Sequence, residues 1–222
     1  MMRSRLVYLE SNDGEDSMKP TLIAVGGNLR EMHEFATGLG LPHVISPQGL
    51  YGVYEGAMDL VARNWFYDEY DLPHPEPISF GHSLRAIEAL IYDVHDSLAS
   101  SAVPPVLLGH GQGGALALAL ALVIPDYLSG VISIDGLLPA FNGWSPYADA
   151  DALPVLMVTD TTAKPSSESE VALVSAGCRV VAGTATDTAL PGPLTSKVIS
   201  DWLRADLRTC GPGKSFDVER PA

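Results

Sequence analysis

The run Pro105-Val-Leu-Leu-Gly-His-Gly-Gln-Gly-Gly-Ala-Leu-Ala-Leu118 constrains this chain more than any other part of it. Val106, Leu107 and Leu108 form a short, continuously apolar run, as strands covered on both faces do. From Gln112 to Val123 small and apolar residues continue without a break, which predicts a helix. Between them lie only glycines and His110. A strand that turns directly into a helix needs backbone freedom at the turn and room for close packing, and glycine supplies both. The first amides of such a helix, that of Gln112 included, point at whatever lies in front of the turn and favour negative charge there.

The rest of the chain repeats this rhythm. Candidate strands are Arg5–Glu10 at an edge, Thr21–Val25, His43–Ser46, Pro105–Gly109, Val131–Asp135, Val155–Thr159 and Arg179–Ala182. Candidate helices are Leu29–Gly38, Ser83–Ser100, Gln112–Val123, Ser167–Ala176 and Leu194–Leu207. Strands alternating with helices predict an α/β fold with a mostly parallel sheet, helices on both faces and right-handed crossovers. Residues 1–19 read as an edge strand with a polar linker, 20–208 as one domain, and 209–222 as a flexible tail. The stretch 47–81 breaks the rhythm with Gly, Pro and the aromatics Tyr51, Tyr54, Trp65, Phe66, Tyr67 and Tyr70. It predicts one short helix near Glu55–Ala62 inside irregular chain at the carboxyl edge of the sheet, where ligands bind in such folds. The alternative is a surface excursion that buries its own aromatics.

Composition narrows the partners. The 222 residues carry a formal net charge of −14. An acidic surface repels phosphate backbones and anionic lipid, which argues against nucleic acid and membranes. The longest apolar run, Ala115–Ile124, is too short to span a bilayer. Cys178 and Cys210 lack metal spacing and read as free thiols in a reducing compartment, so a cytoplasmic location is expected. No metal motif or dinucleotide fingerprint stands out, and no cofactor is expected. The expected partner is a small molecule; an edge strand allows a homodimer without requiring one.

Three segments carry a resemblance. Gly109-His-Gly-Gln-Gly-Gly-Ala-Leu116, Val25-Gly-Gly-Asn28 and Arg63-Asn-Trp-Phe66 resemble the nucleophile elbow, oxyanion loop and Arg/Trp/Phe loop of the α/β-hydrolase superfamily, within it the phospholipase/carboxylesterase (acyl-protein thioesterase-like) group. The resemblance implies a three-layer α/β sandwich and a nucleophile–base–acid triad. Its nucleophile falls on Gly111, its acid on Ala163 with Asp160 close by, and its base near Ala189, while no histidine follows His110. The family's His-Gly in the oxyanion loop is here Val25-Gly26. One engineered Ser-to-Gly change would not also remove a histidine, so the sequence reads as a natural divergence. Glycine has no side chain, and hydrolysis through an acyl-enzyme is not expected.

Polar groups at the strand ends remain. Asp135 is the candidate proton carrier, as a carboxylate with a raised pKa in an apolar pocket, or else a residue that caps its own turn. Asn28 offers an amide to a carbonyl oxygen, caps the helix after it, or does both. The amides of Gly27 and Gln112 form an oxyanion-type site around Gly111. Trp65, Tyr67 and Tyr51 wall the pocket, with Asp160 as a second carboxylate. His110 reads as a structural histidine pointing away from the site. These features suggest a non-hydrolytic cyclase, isomerase or lyase acting on a small apolar, polyketide-like metabolite. The alternatives are a ligand- or protein-binding pseudo-hydrolase and a hydrolase that activates water without a covalent intermediate.

Overall fold

The structure, a computed structural model, describes residues 6–12, 19–55, 59–68, 75–97, 103–139, 150–162, 167–189 and 191–206. Nine strands and five α-helices follow one another among these residues. The main sheet has seven strands in the order β1-β3-β2-β6-β7-β8-β9. They are β1 (Tyr8–Asn12), β2 (Leu22–Val25), β3 (His43–Pro47), β6 (Val106–His110), β7 (Gly130–Ile134), β8 (Pro154–Asp160) and β9 (Arg179–Ala185). Only β1 runs antiparallel, with Tyr8 opposite Pro47; every other pairing is parallel.

Helices cover both faces. On one, Met32 and Ala36 of α1 (Leu29–Thr37) and Ile199, Trp202 and Leu203 of α5 (Pro193–Asp206) pack on Leu22, Val106, Leu108 and Ile132. On the other, α2 (Pro77–Ser97) and α3 (Gln112–Val123) pack on Ile23, Leu107 and Val131, with Leu173 of α4 (Ser167–Ser175). Every residue of α3 from Gly113 to Leu122 is buried. A helix apolar all round can exist only in such a place, between the sheet and a second helix.

Two parts differ from the sequence reading. Where a helix was expected near Glu55–Ala62, the chain forms an antiparallel hairpin of β4 (Tyr51–Glu55) and β5 (Asp59–Asn64), with a bulge at Val53/Tyr54. Tyr, Val and Leu in short runs favour extended backbone when a partner strand is at hand, and here each run partners the other. The long helix α2 starts at Pro77, not Ser83. Its entry is built by Glu76, whose carboxylate accepts from the amides of Ile78 and Ser79, followed by a proline at the first helical position. Tyr70, Ala163, Cys210 and the 209–222 tail lie outside the described residues.

The joint between β6 and α3 is the tightest in the molecule. A Cβ on Gly109 would overlap the carbonyl oxygen of Gly113, and a Cβ on Gly113 would overlap that of Val25. Backbone cannot step aside as a side chain can, so Gly113→Ala is expected to cost about 3 kcal/mol or more of unfolding free energy. Gly81, within α2, has nothing within 4 Å of its missing Cβ. There Gly81→Ala should stabilise by about 0.5–1 kcal/mol through helix propensity. Urea unfolding of both variants checks the contrast; equal shifts would contradict it.

Candidate functional site at the carboxyl edge of the sheet

Gly111 joins β6 to α3 with φ +57° and ψ −116°. L side chains rarely adopt this backbone, and such strain gathers at functional turns. The turn is held by Gly111 N–H donating to Ile134 O at 2.9 Å and by Ala115 N–H donating to Gly111 O at 3.1 Å. In front of it is space: a Cβ built on Gly111 meets nothing within 4 Å, and the same holds at Gly27. The backbone is thus set for an outward side chain that the sequence does not supply.

Beside the turn lies a cavity of about 490 Å³. Gly26, Gly27 and Asn28, in the loop after β2, form one wall. Glu31, Met32, Glu34 and Phe35 of α1 form another, and His110 and Pro191 complete it. All three wall segments other than α1 follow or end strands of the sheet, so the cavity opens at the carboxyl edge. Asn28 caps α1, its Oδ1 accepting from Arg30 N and Glu31 N at 3.1 and 3.3 Å. The cap uses only the oxygen, so the amide nitrogen is the group it can offer a carbonyl.

The imidazole of His110 is the titratable ring on this wall. Burial pushes its pKa below the ordinary histidine value, while the charge of Asp135 and a hydrogen bond to the Thr188 backbone act in the opposite direction. The Thr188 loop is pinned by Asp187, whose carboxylate accepts from Leu194 N, Thr195 N and Thr195 Oγ1 at the start of α5. Those hydrogen bonds, that of the Thr195 side chain foremost, hold the Asp187 pKa down.

The phospholipase/carboxylesterase family matches residues 27–158, more than half of the chain. The chain belongs to that family. Solved structures show the same fold. A Bacillus cereus carboxylesterase superposes with TM-score 0.74 at 15% identity, covering 91% of this chain and 95% of that one. For a Mesorhizobium loti carboxylesterase the values are 0.72 and 18%, over 91% and 99%. For SOBER1 of Arabidopsis thaliana they are 0.58 and 18%, over 85% and 99%. No curated protein matches the chain.

In this phospholipase/carboxylesterase-family chain, Gln112 and Trp65 brace the site from behind. Gln112 Oε1 accepts from Trp65 N at 2.9 Å and Phe66 N at 3.4 Å, and its Nε2 donates to Phe66 O at 3.0 Å. The side chain is a clamp, which leaves the Gln112 backbone amide as its contribution to the turn. Trp65, expected on the pocket wall, is wholly buried, and its indole N–H donates to Gly26 O at 3.0 Å. Tyr51 and Tyr67, expected beside it, meet ring to ring at 4.7 Å with planes tilted by 50°, outside the cavity lining, and Tyr51 OH meets His82 Nδ1 at 3.2 Å.

The two carboxylates are placed differently from the sequence reading. Asp135 is exposed, with φ +50°, and its Oδ1 accepts from Asp160 N at 3.2 Å. The expected apolar pocket is not around it, because it lies at the surface just past the end of β7 and caps the neighbouring strand end. Asp160 is also exposed; hydrogen bonds from the Thr162 hydroxyl and amide hold its pKa below the usual carboxylate range. His110, by contrast, was expected to point away from the site and stands on the cavity wall. Side-chain alternation along β6 carried that signal: Val106, Leu108 and His110 share the face covered by α1 and α5.

Among the described residues no three metal-ligating side chains come together, and no helix is long and apolar enough to cross a membrane. Removing the clamp with Gln112→Ala leaves the Trp65 amide without its acceptor. The expected cost is about 1–3 kcal/mol, with faster hydrogen exchange at the Trp65 and Phe66 amides. Unchanged exchange at both would contradict the bracing role.

Proposed function

We propose that this chain is an enzyme acting on a small, mostly apolar carbonyl compound without a covalent intermediate. The chemistry is proton transfer, as in an isomerase, cyclase or lyase working on a polyketide-like molecule. The observation that carries the reading is Gly111: it keeps the strained turn and the open space before it, and brings no side chain into that space. The amides of Gly27 and Gln112 are the donors for a carbonyl oxygen in which negative charge develops, and Asn28 adds a side-chain amide. Confinement between α1 and the turn holds the substrate in a reactive conformation.

A second reading, direct attack by an activated water on an ester, is favoured by the family match and by the carboxylesterases that share the fold. It requires the same amide donors and a base, and also avoids an acyl-enzyme. The two readings differ in product. Hydrolysis puts oxygen from labelled water into the acid released, and isomerisation or cyclisation does not.

Both readings forbid acylation of the turn. Treated with a fluorophosphonate or an activated ester, the protein should show no mass adduct on peptides spanning residues 105–123, and p-nitrophenyl acetate should give no burst. A stoichiometric adduct on those residues would overturn the proposal.

A further inference from the structure

We propose that His110 is the proton-transfer residue of the cavity, with Asp135 as its positioning partner, and that the cavity takes neutral or cationic carbonyl compounds in preference to carboxylates or phosphates. This inference rests on the non-covalent reading above and names the base that the reading lacks.

The geometry comes from two adjacent strands. His110 ends β6 and pairs in register with Ile134, so Asp135 is the next residue along the neighbouring strand and its charge reaches the imidazole. Asp135 itself is exposed, engaged with the Asp160 amide and outside the cavity lining, so it acts on the ring through its charge and does not carry a proton inside the cavity. The Thr188 backbone also acts on the ring. A neutral imidazole carries its proton on one nitrogen and a lone pair on the other. The ring shares its cavity with Gly27 and Asn28, so a substrate carbonyl held by these amides lies within the same walls as the base.

The step balances within the substrate. The free imidazole nitrogen takes a proton from the carbon next to the carbonyl. The C–H electron pair moves into a new C=C bond, and the carbonyl oxygen becomes an enolate held by the Gly27 and Gln112 amides. The imidazolium then returns the proton to the same or a different carbon, the C=C electron pair forms the new C–H bond and the carbonyl is restored. A ring kept mainly neutral by burial is in the right form to begin near pH 7.

Charge selects the ligand. Glu31 and Glu34 of α1 line the cavity, the charge of Asp135, just past the end of β7, reaches the ring, and Asp187 sits in the loop before α5 with its carboxylate committed to that helix. No cation stands among the residues that line the cavity. An anionic ligand would be repelled by these carboxylates, whereas a neutral ketone or ester would meet no such repulsion and could pack on Met32, Phe35 and Pro191.

The test uses cyclohexanone and methyl butyrate as neutral probes and butyrate as the anionic control. Amide NMR of the full chain reads binding, and deuterium exchange at the carbon next to the carbonyl in D₂O reads proton transfer. The expected result is perturbation of the Gly27 and Gln112 amides by the neutral probes and at least tenfold less by butyrate. Exchange of cyclohexanone should fall at least tenfold in His110→Gln with binding retained. In Asp135→Asn the acidic limb of the exchange profile should move to lower pH, because a negative charge that raised the imidazole pKa is gone. Binding with exchange equal in wild type and His110→Gln would overturn the assignment of His110 and leave the proposed function standing. Stronger binding of butyrate would overturn the charge preference. Failure of every probe to bind would count against the proposed function itself. A circular dichroism spectrum of His110→Gln separates a lost base from a lost fold; if that variant is unfolded, the pH shift in Asp135→Asn decides.

Discussion

The absence of two Cβ atoms sets the site. Gly109 and Gly113 let β6 turn into α3 with backbone against backbone, and Gly113 lies against the carbonyl of Val25 in the next strand. Any side chain at either position would push the helix off the sheet. Because the helix stays on the sheet, its first amides, the end of β6 and the loop after β2 converge on one edge. On that edge stand Gly111 at the turn, His110 just before it, and Gly27 and Asn28 beside them. The bracing is layered outwards, with Gln112 tied to the hairpin exit through Trp65 and Phe66, and Trp65 tied back to Gly26.

Electrostatics separates the acids from the histidine. Asp135 and Asp160 lie at the ends of neighbouring strands at the surface, and hydrogen bonds from Thr162 hold the Asp160 pKa down. His110 is drawn inwards, where desolvation favours its neutral form. Under the proposed function, a buried imidazole beside solvated carboxylates suits a site that takes protons near neutral pH. The turn at Gly111 keeps a backbone that L side chains rarely adopt, and in the proposed function that backbone presents the amides to a carbonyl oxygen.

Much of this was legible in the residues. The apolar runs of β2, β6, β7 and β8 and the unbroken Ala/Leu pattern of α3 announce a parallel sheet with a buried helix, and the glycines around His110 announce the turn. The hairpin at Tyr51–Asn64 was not legible, since a run of five or six residues mixing apolar and polar side chains has no decisive period and its fold depends on the partner strand. The start of α2 was misplaced because the apolar spacing begins at Leu84, whereas the first turn is set by the Glu76 cap and a proline at the first helical position. In the site, Asp135 was read from its place after an apolar strand, which says nothing about the exposure of the residue beyond the strand end. His110 was set aside on the general habit of elbow turns, whereas the β6 alternation pointed it at α1.

The central claim is that a carbonyl compound sits before an unreacting turn and beside a histidine. A crystal of the protein soaked with cyclohexanone tests it most directly. The account predicts the ketone oxygen within hydrogen-bond distance of the Gly27 and Gln112 amides, the ring against Phe35, and the imidazole of His110 next to the carbon that exchanges. Ketone density elsewhere on the surface, or a serine of this chain bonded to an ester probe in the same cleft, would contradict it.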